Sequence, residues 1–194
     1  MIRHKSYWFF TFSGLILIVF SFLFHSYRSK DLNELAALAS TRMEQKLQVC
    51  EDALNRLIDH AGSIDREEYY RLFQEEQIGI YLLKSNGAGL FWNNSQIPLS
   101  DTLQSGTRKD GMLEIKRGYY LFKKIRKDSL IAFSLCLIKP DYDVRNTHLK
   151  NEFTNWIGLP AEIEFSKDKT KGVHVELRGE KLFSITSSEE DYSY

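Results

Sequence analysis

The chain has 194 residues, with 26 basic and 26 acidic side chains and a formal net charge of zero. That zero hides an asymmetry: residues 1–30 carry Arg3, Lys5, Arg28 and Lys30 and no acid (+4), leaving 22 basic against 26 acidic residues in the remainder (−4). A weakly acidic body excludes nucleic acid as the main partner, and about 164 residues after Lys30 suffice for one domain with a core.

Tyr7 to Phe24 is an uncharged run of 18 residues, and Tyr7, Trp8 and Tyr27 flank it as an aromatic belt. A bilayer core of roughly 30 Å needs about 20 apolar residues in a helix, so residues 7–27 are expected to span a membrane. Arg3 and Lys5 before the run also suit a secretory signal, but His25-Ser26-Tyr27-Arg28 offers no small-residue cleavage site. Ala37-Leu38-Ala39 fits such a site only inside a helical pattern. An uncleaved anchor is therefore expected. Lys and Arg are nearly balanced on its two sides; the short tail of residues 1–6 favours a cytoplasmic N-terminus, with the main domain periplasmic and the anchor in a bacterial inner membrane.

Residues 28–62 read as a stalk helix, able to continue from the span. Apolar or small residues recur from Leu32 through Leu35 and Ala39 to Ala61, and Met43, Leu47, Cys50, Leu54 and Leu57 form a 4-3 seam. Such a seam packs either on a second helix, giving a coiled-coil homodimer, or on the chain's own sheet. Glu44, Lys46, Glu51, Asp52, Arg56 and Asp59 are its charged flanks, and Gly62 is the expected stop. Asp65 and Glu68 predict a capped second helix over Arg66 to Glu76.

Residues 63–186 are expected to form an α+β domain with a mostly antiparallel sheet. Predicted strands are Ile78 to Leu83, Leu90 to Asn93, Gly111 to Lys116, Tyr119 to Lys127, Leu130 to Lys139, Glu162 to Phe165, Val173 to Leu177 and Leu182 to Ile185. Turns fall at Asn86-Gly87, Arg117-Gly118 and Asp128-Ser129. Leu130 to Ile138 is apolar on both faces and should be central. Asn146 to Ile157 suggests a helical segment, and residues 187–194 a polar tail.

Chemistry is sparse. No two of His4, His25, His60, His148 and His174 lie at metal-ligand spacing, and there is no G-x-S-x-G or Walker loop. No cofactor, metal or catalytic centre is expected. Lys123-Lys124-Ile125-Arg126-Lys127 reads as a guarded exposed or edge strand, with a polyanion site as the lesser reading. Trp92, Asn93, Tyr119 and Tyr120 mix aromatic and polar groups near strand ends and are the candidate ligand-binding residues. Cys50 and Cys136 lie in apolar patterns, as buried thiols or, outside the cytoplasm, a disulfide.

Leu90-Phe91-Trp92-Asn93, Gly118-Tyr119-Tyr120-Leu121 and the strand ending Leu137-Ile138-Lys139 follow the anchor and long helix in order. Lys139-x-x-Tyr142, Leu149-x-Asn151-x-Phe153 and Gly158-Leu159-Pro160 come next. This order resembles the extracytoplasmic sensor region of Bacteroidetes-type sensor histidine kinases. The resemblance spans about residues 1 to 186 and implies a PAS- or Cache-like sensor, dimeric through its stalk. Such receptors continue into a second span and a kinase core, and no sequence for either occurs here. The leading expectation is a signal-sensing module of a two-component-type receptor that binds a small molecule or envelope protein. A single-pass envelope assembly or scaffold protein acting through a juxtamembrane coiled coil is the alternative, and a tethered enzyme a third.

Overall fold

The computed structural model describes residues 31–94, 106–116, 118–143, 149–168 and 170–187. The expected span at 7–27, its 1–6 tail, residues 28–30 of the stalk and residues 188–194 of the C-terminal tail lie outside them. Among the described residues, no helix is long and apolar enough to cross a membrane.

The chain is α+β, with a long helix and two antiparallel sheets. Helix α1 covers Leu32–Asp59, 28 residues or about 42 Å. Asp31 caps it: its carboxylate accepts from Asn33 N–H at 3.0 Å. With ψ at 133°, Asp31 is itself outside the helical conformation. The helix therefore begins at Leu32 and does not continue back through Asp31 toward the expected span. The helix ends at Asp59 rather than at Gly62, because His60 closes the last turn with both its N–H and its ring Nδ1 on the Arg56 carbonyl.

Helix α2 covers Arg66–Glu76. The Asp65 carboxylate accepts from the N–H groups of Glu67 and Glu68, while the Glu68 carboxylate is turned to Arg56 at 3.5 Å. Gln77 ends the helix in the left-handed conformation, φ 55°.

Among the described residues eight strands follow: β1 Ile78–Lys84, β2 Gly89–Trp92, β3 Asp110–Ile115, β4 Gly118–Lys127, β5 Leu130–Pro140, β6 Ile163–Ser166, β7 Val173–Leu177 and β8 Glu180–Ser187. The first five form the main sheet in the order β2-β1-β5-β4-β3, and the rest a small sheet in the order β6-β8-β7. The strand expected to be central, β5, is the middle one. Arg178 and Gly179, both at positive φ, make the tight β7–β8 turn.

Alternation along each strand gives the main sheet two apolar faces. One carries Ile78, Ile80, Leu82, Leu121, Ala132 and Cys136 and shares a core with α1 and the small sheet. The other carries Tyr81, Leu83, Phe122, Ile131, Phe133 and Leu135, also buried.

The seam residues Met43, Leu47, Cys50, Leu54 and Leu57 all lie in the first core, at most 1% exposed. The chain's own sheets occupy the seam, so these side chains are not free to pack on a second subunit. The buried stripe is also wider than a coiled-coil seam, adding Ala36, Lys46, Ala53 and Ile58. The outward side of α1 is polar apart from Ala37 and Val49, with Leu38 half-buried. Residues 32–59 are therefore one wall of the domain rather than a stalk apart from it.

The expected helix at Asn146–Ile157 is absent from its described part. Residues 149–157 are irregular, with a turn at Asn155–Ile157. Bonds to β5 outcompete helix formation: Thr154 Oγ1 and Trp156 Nε1 both donate to the Leu137 carbonyl, at 2.9 and 2.8 Å, and Thr154 N–H donates to the Ile138 carbonyl.

Candidate functional site

The four residues expected to bind a ligand do not converge. Trp92 ends edge strand β2, is 54% exposed, and lays its ring over Gly89. It is in register with Tyr81, Phe133 and Lys124, four residues along β4 from Tyr120. Tyr119 and Tyr120 are adjacent on one strand and so face opposite sides of the sheet.

Asn93 is buried and acts as a clamp. Its Oδ1 accepts from Ile80 N–H at 2.6 Å, and its Nδ2 donates to the carbonyls of Tyr69 at 2.8 Å and Ile78 at 3.0 Å. These bonds hold α2, β1 and the end of β2 together and leave the amide unavailable to a ligand.

Tyr119 is a core residue. Its ring lies 4.3 Å from that of Phe165, and its hydroxyl donates to Asp141 Oδ2 at 3.3 Å. Burial is the main cause that raises its pKa, with Asp141 and Glu114 adding to it.

Tyr120 is the member of the set that lines a cleft. This open depression, about 1030 Å³, lies where the end of α2 meets the β3–β4 turn and the end of β5. Phe73, Tyr120, Leu137 and Tyr142 supply apolar and aromatic surface; Gln77 and Asn94 supply amides. Glu114, Asp141 and Asp143 make the rim acidic. Glu114 pairs with Lys167 at 2.7 Å, and Asp141 accepts from the Tyr119 hydroxyl. Burial, reinforced by Tyr142, raises the Tyr120 pKa, so the phenol stays neutral and able to donate. Asn94 of the lining is tied to the core: Tyr81 donates its hydroxyl proton to the Asn94 carbonyl at 2.8 Å, and burial pushes the Tyr81 pKa up to about 12. The arrangement suits a small solute with one flat apolar face and hydrogen-bond donors.

Sequence spacing gave no route to this cleft, since its residues come from five segments. Its one local signal is Gln77, a polar residue ending a helix immediately before an apolar strand.

The basic cluster is not on an edge strand, and most of its charges are paired or buried. Strand β4 lies between β3 and β5, with Lys123 and Lys124 buried. Lys123 Nζ is 2.7 Å from Glu51 and 3.3 Å from Asp110. Lys124 Nζ donates to the Gly106 carbonyl and lies over the Phe133 ring, while Lys127 pairs with Asp59. Lys46, expected on a charged flank, is likewise buried, 2.6 Å from Glu76 and over Trp156.

The motifs that carried the family resemblance have structural employment. Asn151 holds both backbone groups of Tyr142, and Phe153 stacks on Phe183. Gly158 sits at φ 73° under the guanidinium of Arg42. No group of three or more His, Cys, Asp or Glu able to hold a metal ion occurs among the described residues. Comparison with known families, with curated proteins and with solved structures finds no match for this chain.

Proposed function

We propose that the chain is a membrane-anchored, extracytoplasmic sensing module of a two-component-type receptor, and that the Tyr120 cleft takes its ligand. One observation carries the reading. Helix α1, which begins only a few residues after the expected span, lays its entire apolar face on the sheets whose end forms the cleft. A ligand that shifts β4 or β5 must repack α1, because close-packed cores do not deform continuously. The shift reaches the span through the break at Asp31, not along one rigid rod. The main sheet's five-strand antiparallel order also accords with the PAS- or Cache-like plan that the resemblance implies.

The scaffold alternative relied on a juxtamembrane coiled coil, and α1 has its seam filled by its own domain. A homodimer of the kind the resemblance implies would have to use surfaces other than Met43, Leu47, Cys50, Leu54 and Leu57.

The test has two arms on the full chain. A phosphatase reporter fused after Tyr194 should be active outside the cytoplasm, with the product staying in the membrane fraction. A thermal-shift screen of the detergent-purified chain against small metabolites should give a ligand class that raises Tm, an effect lost in Tyr120→Ala. A cytosolic reporter, or release of the domain from the membrane, overturns the reading. So does a ligand whose effect survives Tyr120→Ala unchanged.

A further inference from the structure

Cys50 and Cys136 lie 86 residues apart in sequence, and their Sγ atoms are 3.5 Å apart. Both are free thiols and both are buried, at 1% and 0% exposure. Cys50 is on the inner face of α1. Cys136 is in the middle strand of the main sheet, in register with Ile78 and Leu121. The pair therefore bridges the helix and the centre of the sheet it packs on. Two chance core thiols have no need to meet across so long a separation. A disulfide bond is about 2.05 Å, so bonding requires an approach of roughly 1.5 Å.

We propose that Cys50 and Cys136 are a disulfide-forming pair that fastens α1 to the centre of the five-stranded sheet when the chain folds under oxidising conditions. The oxidant is an external disulfide, either glutathione disulfide or a dithiol–disulfide exchange catalyst. The Cys50 thiolate attacks one sulfur of that disulfide, forming a mixed disulfide and expelling one thiolate. The Cys136 thiolate then attacks the Cys50 sulfur, forms the Cys50–Cys136 bond and expels the second thiolate. Two electrons pass from the protein sulfurs to the oxidant, and the two cysteine protons end on the two released thiols. The same sequence balances with Cys136 attacking first, since the two thiols are equivalent until the helix is packed on the sheet. Because both sulfurs are buried, the exchange takes place before α1 packs on the sheet or when that contact opens, and the finished bond is shielded from reductant.

The detergent-solubilised full chain, unfolded in urea with reductant, is refolded either with a glutathione redox mixture or under reducing conditions. The oxidised sample should contain no alkylatable thiol after denaturation and one crosslinked peptide pair holding Cys50 and Cys136. Its Tm should exceed that of the reduced sample by on the order of 10 °C, because the bond closes a long loop. Cys50→Ala and Cys136→Ala should each lose the oxidation-dependent gain. In a second arm, without unfolding, natively extracted protein is treated with diamide and should give the same peptide pair. Two free thiols after treatment in both arms, or an oxidised form no more stable than the reduced one, overturn the proposal. Neither arm depends on which side of a membrane holds the domain, so failure here leaves the sensing reading standing.

Discussion

Asn93 Oδ1 accepts a 2.6 Å hydrogen bond from the buried Ile80 N–H just past the end of β2, where the Asn93 backbone N–H in turn donates to the Ile80 carbonyl at 3.2 Å. The same side chain donates to two more buried carbonyls. A side chain that substitutes for strand pairing in this way belongs to the fold rather than to a ligand. Asn93→Ala leaves one donor and two acceptors without their partner and should cost about 2–4 kcal/mol in urea unfolding. A loss below about 0.5 kcal/mol would show that the clamp is dispensable.

The helix seam gives a prediction opposite to that of a coiled coil. Leu47 and Leu54 are fully buried in the chain's own core. Leu47→Ala and Leu54→Ala should each destabilise the domain by about 2–5 kcal/mol and leave the mass of the detergent-purified particle unchanged. Light scattering coupled to size exclusion reads the second quantity. A halved mass with intact stability would return the seam to a dimer interface.

Gly158 is held at φ 73° with the Arg42 guanidinium where a Cβ would go. Gly158→Ala should cost about 1–2 kcal/mol from the backbone alone. Arg42→Ala in the same chain should recover only the part due to crowding, since it leaves the backbone strain in place. Complete recovery in the double variant would show that φ is not the constraint.

Tyr81 predicts an alkaline limit. Its pKa rises from 10.0 to about 12 on folding, because burial disfavours the phenolate. A raised folded value stabilises the native state below the unfolded pKa. That stability is lost as pH climbs from about 10 through 12. Tyr81→Phe should lower stability at pH 8 by about 1 kcal/mol through the lost bond to the Asn94 carbonyl, yet flatten the decline of Tm above pH 10. Parallel Tm profiles for the two proteins would exclude Tyr81 as the titrating group.

The surface pair Asp59–Lys127 works at the other end of the scale. The Lys127 bond holds Asp59 below its usual range, so its contribution is present above about pH 4 and fades as acid protonates the folded carboxyl. Asp59→Asn should therefore reduce the acid sensitivity of Tm slightly, by an amount that added salt erases. An acid profile identical to that of the parent protein would count against it.

The sequence by itself determined the local elements. Asp65 placed the start of α2, Asp128-Ser129 and Asn86-Gly87 placed turns, and the two-faced run from Leu130 placed the central strand. Each of these is a short-range signal: a cap, a positive-φ residue or a periodicity. The 4-3 seam of α1 was equally legible, but period says only that a face is apolar, never what covers it. Only the tertiary structure put α1 on its own sheets, and Ala36, Ala53 and Ile58, which widen the stripe beyond a seam, were the readable hint. Burial of Lys46 and Lys123 followed from partners thirty or more residues away or on other strands, Glu76 and Glu51 among them, which no local pattern reports. The irregular segment before Gly158 and the meeting of Cys50 with Cys136 were decided the same way. Long-range pairing selects among local preferences because burial of a shared core outweighs the fraction of a kcal/mol by which one local conformation is favoured over another.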